Sequence, residues 1–205
     1  MAKLRTLLCF VFAAAATLPA LPVAAQTQPG SAEADKSRLW LPGTGRNYLG
    51  LNVGRSRYSL PCGSAALLCD DTDRSVQLYT GKMIGDFWGV ELGYLNSGRI
   101  TRAGGETSAT GLNLRLVGKA PLGGSFGVFG KVGTTYGRAE SSALAGSGIA
   151  AGLDRGFGPS VGAGLSYNFN PRVSATLEWD SNDFRFAGTG RDAVRSTNLG
   201  LQIRY

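Results

Sequence analysis

Residues 88–94 read Trp-Gly-Val-Glu-Leu-Gly-Tyr. Trp88, Val90, Leu92 and Tyr94 share one parity, and Gly89, Glu91 and Gly93 the other. A β-strand points successive side chains to opposite faces, so this run has one apolar face and one small or charged face. The same period of two recurs on either side. It carries Leu49, Leu51 and Val53; Val76, Leu78 and Thr80; and Leu112, Leu114 and Leu116. Further on it carries Val128, Val132 and Tyr136; Val161, Leu165 and Tyr167; Ala175, Leu177 and Trp179; and Leu199, Leu201, Ile203 and Tyr205. Eight strands are therefore expected, with no helical period among them. Residues 84–86, 120–125 and 170–171 predict short turns, whereas 59–74, 98–108, 139–155 and 185–195 predict long loops.

Which face is apolar decides between a sandwich and a barrel. A soluble sandwich buries its apolar face and fills the core with large side chains. Here the polar-parity face is mostly Gly, Ser, Thr and Asn with a few charges, which suits a crowded lumen. The apolar face then meets lipid, where unpaired backbone is not tolerated and the sheet must close. Short turns at one end and long loops at the other complete the expectation: an all-β, eight-stranded antiparallel up-and-down transmembrane β-barrel over residues 46–205. Trp88, Tyr94, Tyr136, Tyr167, Phe169, Trp179 and Tyr205 have lipid-face parity and suit interfacial girdles, while Tyr48, Tyr79 and Phe129 have inward parity.

Composition agrees. The 205 residues include 31 Gly, roughly twice the usual 7% share. Only 17% of residues are charged, and the net charge is +7. There is no His, which removes Ser-His-Asp and Cys-His catalysis, His-ligated zinc and His general bases together. Gly81-Lys82, Gly118-Lys119 and Gly130-Lys131 are followed by Met, Ala or Val, so none completes a P-loop. Asp70, Asp71 and Asp73 lack the spacing of an EF-hand and read as a solvated acidic loop. No enzyme activity, cofactor, metal or nucleic-acid partner is expected.

The N-terminus reads as a cleaved secretory signal over residues 1–25. Lys3 and Arg5 precede the apolar run Leu7–Ala16, and Val23-Ala24-Ala25 offers small residues for cleavage. Residues 26–45 are polar and rich in Pro and Gly, as in a flexible leader, with Leu39-Trp40-Leu41 their one apolar spot. Of the three Cys, Cys62 and Cys69 survive cleavage. Export, an even count and six intervening residues predict a disulfide between them.

Residues 76–97 closely resemble the second and third strands of OmpA-like transmembrane barrels. Gly-Lys-Val-Gly at 130–133, Gly-Arg-Ala-Glu at 137–140, Tyr-Asn-Phe-Asn-Pro-Arg-Val at 167–173 and Leu-Glu-Trp at 177–179 extend the resemblance over most of 46–205. It implies an integral outer-membrane protein of the Gram-negative cell envelope, without the family's periplasmic peptidoglycan-binding domain. It also implies lumenal carboxylates at Glu91 and Glu178. The other gate positions of that pattern fall on Val117, Ser166 and Thr176, which cannot ionise. Arg115 and Lys131 have inward parity and supply replacement bases, so Glu91, Arg115, Lys131 and Glu178 form the expected lumen charge network. Leu201, Ile203 and Tyr205 resemble the signal read by the outer-membrane barrel assembly machinery.

Function is expected to be structural or surface-binding, with outer-membrane lipid, lipopolysaccharide or a host-surface ligand as partner. The alternative is a narrow small-solute or ion pore. Arg55, Arg57, Arg99 and Arg138 are expected on the outer rim, where the planar guanidinium fork suits lipopolysaccharide phosphates.

Overall fold

A computed structural model describes residues 47–61, 70–102, 104–145, 147 and 149–205. The expected signal peptide, the expected leader and the Cys62–Cys69 pair lie outside the described residues. The strands are β1 (Asn47–Tyr58), β2 (Thr72–Met83), β3 (Trp88–Arg102) and β4 (Gly105–Gly123), then β5 (Phe126–Ser141), β6 (Gly152–Asn168), β7 (Val173–Phe186) and β8 (Gly190–Arg204). Each pairs antiparallel with its sequence neighbours, and β8 returns to β1, closing the barrel in chain order. Closure leaves no strand edge to satisfy in lipid.

The expected long loops at 98–108 and 185–195 are a correction: most of the described residues there are strand. β3 runs to Arg102 and β4 restarts at Gly105, while β7 runs to Phe186 and β8 restarts at Gly190. The alternation does not stop there; its polarity reverses. In the lower part of each strand the outward residues are apolar: Leu92 and Tyr94 on β3, Leu177 on β7, Leu199 and Leu201 on β8. Further out the same strands bury Leu95 and Ile100, Phe184 and Phe186, and Val194. Their outward positions then carry Arg99, Thr101, Arg185 and Arg195. A search for apolar-outward residues therefore loses each strand where it leaves the lipid.

The lower lumen packs by reciprocal cross-strand pairs. Tyr48 stands opposite Gly81, and Tyr79 opposite Gly50. A Cβ on either glycine would collide with the opposing ring. The two rings meet edge to face, 6.2 Å between centroids. Phe129 lies over Gly164 in the same way, directly opposite in register. The glycines are what let large aromatics fold flat inside a barrel just wide enough for side chains. Tyr48, Tyr79 and Phe129, the inward exceptions in sequence, are buried lumen fillers.

The outward aromatics form two tiers. Trp88, Phe126, Tyr167, Phe169 and Tyr205 are exposed near the short-turn end, and Phe126–Tyr167 and Tyr167–Phe169 centroids lie 5.0 and 5.2 Å apart. Tyr94, Leu112, Tyr136 and Phe157 stand in one register row across β3–β6, with Tyr136 and Phe157 4.9 Å apart. Amphipathic rings at two levels match the two interfaces of a bilayer.

Candidate functional site

Three places in the barrel bear on function: the mid-lumen, the interior of the outer extension and the outer rim. In the mid-lumen, β3, β4, β5 and β7 bring Glu91, Arg115, Lys131 and Glu178 together, all buried. Lys131 Nζ donates to Glu91 Oε1 at 3.0 Å and to Glu178 Oε2 at 2.9 Å. Arg115 Nη2 lies 3.2 Å from Glu91 Oε1, and Nη1 lies 3.7 Å from Glu178 Oε1. A fifth member, Asp180, accepts a 2.5 Å hydrogen bond from Arg115 Nη1. Asp180 shares the inward parity of Glu178 two residues before it, and that spacing was the sequence signal for it.

Neutral groups complete this network. Asn52 Nδ2 donates to Glu178 Oε2 at 2.9 Å, Asn198 Nδ2 to Asp180 Oδ2 at 3.3 Å, and the Tyr48 hydroxyl to Glu91 Oε2 at 3.4 Å. Lys131 Nζ also sits 4.5 Å from the Tyr79 ring centre, a cation–π contact. Below it, Lys119 Nζ lies 4.0 Å over the Tyr48 ring and donates to Gln202 Oε1 at 3.4 Å. Carboxylates on opposite walls share the same two cations, so the network crosses the bore rather than lining it. Removing one member would leave its partners charged and buried, the most costly defect such a site admits.

Above this network the bore is apolar. Tyr58, Leu60, Leu95, Ile100, Ala109, Ala139, Phe184, Phe186 and Val194 form one buried cluster. Phe184 lies against Gly137, where a Cβ would strike its ring. Arg102 threads this interior: Nε donates to Thr107 Oγ1 at 3.0 Å and Nη1 to the Pro61 carbonyl at 3.3 Å. Although Arg102 falls in a segment expected to be a long loop, it is an interior residue, because the register shift between Asn96 and Arg99 resets the parity of β3 and turns it inward.

On the outer rim, Arg55, Arg57, Arg99 and Arg138 are all exposed and outward-facing. Arg99 lies 2.9 Å from Glu106, Arg138 3.4 Å from Glu140 and Arg57 3.5 Å from Asp71. These exposed pairs contribute little to stability. Leu201, Ile203 and Tyr205 are exposed at the opposite end of the chain's closing strand. Among the described residues, no group of three His, Cys, Asp or Glu side chains is placed to hold a metal ion.

The barrel is similar to several solved structures. Neisserial surface protein A superposes with a TM-score of 0.62 at 15% identity, over 80% of this chain and 99% of that one. Ail, the attachment invasion locus protein of Yersinia pestis, gives 0.52 at 16% identity, over 79% and 99%. The N-terminal β-barrel domain of Pseudomonas aeruginosa OprF gives 0.52 at 14% identity, over 79% and 100%. At such identities the likeness concerns the fold. No curated protein matches the chain. A family model, the outer membrane protein beta-barrel domain, matches residues 10–205. With its lipid-facing apolar band and closed eight-stranded sheet, the chain belongs to the outer membrane protein beta-barrel domain family and is an integral outer-membrane protein.

Proposed function

We propose that this protein is a non-enzymatic outer-membrane barrel that does not conduct and whose outer extension is a surface-binding platform. The observation that carries the reading is the reversal of polarity along the strands. An open pore has a continuous polar bore. Here a crossing ionic network is followed outward by an apolar core, two seals in series. An extension with its own core is rigid, and apart from the buried Arg102 its charge lies outside, where a ligand meets it. The absence of His supports a non-enzymatic role, since the usual general base and metal ligand is missing.

The ligand proposed first is lipopolysaccharide, through Arg55, Arg57, Arg99 and Arg138; a host-surface component is the second. A solved structure of Ail in complex with the heparin analogue sucrose octasulfate gives a precedent, in that protein, for an anionic ligand on a barrel of this fold. Residues 1–25 serve as the export signal, and the Cys62–Cys69 disulfide pins the first outer loop. Leu201, Ile203 and Tyr205 present the assembly machinery with an outward apolar row on the strand that closes the barrel. The test replaces Arg55, Arg57, Arg99 and Arg138 with Gln and measures lipopolysaccharide retained by the folded barrel across a salt series. The reading expects weaker retention and a shallower salt dependence; unchanged retention would remove the arginine rim from it.

A further inference from the structure

The outward arginines are not spread evenly around the rim; they are paired in register. Arg57 on β1 stands directly opposite Arg195 on β8, and Arg55 on β1 directly opposite Arg74 on β2. Arg55 and Arg57 are two positions apart on one face, so about 7 Å separates them along the strand. Directly opposed side chains have Cβ atoms about 5 Å apart. Arg195, Arg57, Arg55 and Arg74 therefore form one compact quartet across three adjacent strands. A third pair, Arg185 opposite Arg191, continues it outward on β7 and β8, and a fourth, Arg138 opposite Arg155, stands apart on β5 and β6.

Like charges directly opposed across a sheet are destabilising. The local carboxylates do not offset this quartet. Asp71 lies 3.5 Å from Arg57, and among the described residues no carboxylate lies within ion-pair distance of Arg55, Arg74 or Arg195. On the β3–β5 side, by contrast, Arg99 and Arg138 each contact an outward glutamate. Arg99 and Arg138 are thus matched within the protein, Arg155 opposite Arg138 stands as a single unmatched charge, and on the β8–β1–β2 side three of four arginines are left for something else.

The level of the quartet identifies its occupant. Arg55 follows the lipid-facing Val53 by one outward position, and Arg74 stands one outward position beyond Val76. On β8, Thr197 alone separates Arg195 from the lipid-facing Leu199. The guanidinium groups thus begin where the acyl chains end, at the depth of lipid headgroups. Each opposed pair offers two planar forks, and a phosphate accepts such forks bidentately. We propose that the quartet Arg195–Arg57–Arg55–Arg74 is a binding site for one outer-leaflet glycolipid that carries two phosphates, one phosphate per arginine pair. This rests on the surface-binding reading and sharpens it: the phosphate site occupies one side of the barrel, and includes Arg74 and Arg195, which lie outside the four-arginine rim.

The experiment uses the protein extracted in mild zwitterionic detergent. Retention of bisphosphorylated lipid A, monophosphorylated lipid A and phosphatidylcholine is measured by native mass spectrometry, with soluble sucrose octasulfate as competitor. R74Q and R195Q are each expected to weaken retention of bisphosphorylated lipid A about tenfold, the scale of one charge-assisted contact. R155Q, on β6, is expected to leave it unchanged, and the wild type to prefer two phosphates over one. Without lipid A, R195Q should unfold at a higher temperature than the wild type, because an opposed pair is relieved; this shows that its weaker retention is not misfolding. Equal loss in R155Q would overturn the quartet and leave the general rim reading standing. No retention by the wild type would overturn both. Tight binding of sucrose octasulfate with no retention of lipid A would overturn the lipid as occupant.

Discussion

The same eight strands build two different materials. In the membrane they are apolar outside and ionic inside; above it they are polar outside and apolar inside. Apart from one bulge on β3, the backbone alternation is continuous, so little in the sheet marks the change. The surroundings do. Lipid rewards an apolar exterior and leaves the lumen to polar groups that satisfy one another. Water rewards the opposite arrangement, and the extension follows the ordinary rule of a soluble core. The crossover falls between Leu92 and Ile100 on β3, where the β3–β4 register shifts between Asn96 and Arg99 and Gly98 adopts a positive φ of 74°. A Cβ at Gly98 would meet the Arg74 carbonyl and the Asp73 carboxylate, so this bulge needs glycine.

Five substitutions separate the two materials. The largest effect is expected from Arg115→Leu, which leaves Glu91, Glu178 and Asp180 facing Lys131 alone. Breaking one side of a buried ionic cluster costs about 4 kcal/mol, read as a lower urea midpoint of the folded barrel in detergent. Phe184→Ala should cost about 3 kcal/mol by opening a cavity in the outer core. Its signature differs: hydrogen exchange should rise first in the outer ends of β7 and β8 while the mid-lumen strands stay protected. Leu114→Arg, on the lipid face, should cost about 2 kcal/mol. The same new charge at Thr101, outward in the extension, should be tolerated; equal costs at both positions would erase the distinction between the two regions. Smallest of all is Arg138→Gln, where an exposed ion pair is lost and no measurable change in stability is expected.

The membrane half was legible in sequence because lipid imposes one consistent polarity on it. Leu49, Leu51 and Val53, or Leu112, Leu114 and Leu116, announce their face without help from elsewhere. The extension was not legible on the same terms. Phe184 and Phe186 look like isolated apolar residues among Arg, Asp and Gly until the parity of β7 is carried outward, and Ile100 turns inward only because the bulge between Asn96 and Arg99 resets the parity of β3. Asp180 was missed for a related reason: it follows Trp179 at the outer end of a lipid-facing run, and only the barrel's cross-section shows it reaching Arg115. The arginine quartet needed the register itself. Arg55 and Arg74, or Arg57 and Arg195, are distant in sequence, and no composition or period states that they stand opposite one another.

Single-channel recording on the folded protein in planar bilayers tests the central claim most directly, that ionic and apolar seals close the bore in series. The account predicts no large, steady conductance from the wild type, with at most rare small openings. It predicts the same for Arg115→Leu wherever that variant remains folded, because the apolar core above the network still closes the bore. A large, steady conductance from the wild type would contradict the sealed lumen, and with it the reading of this barrel as a surface-binding platform.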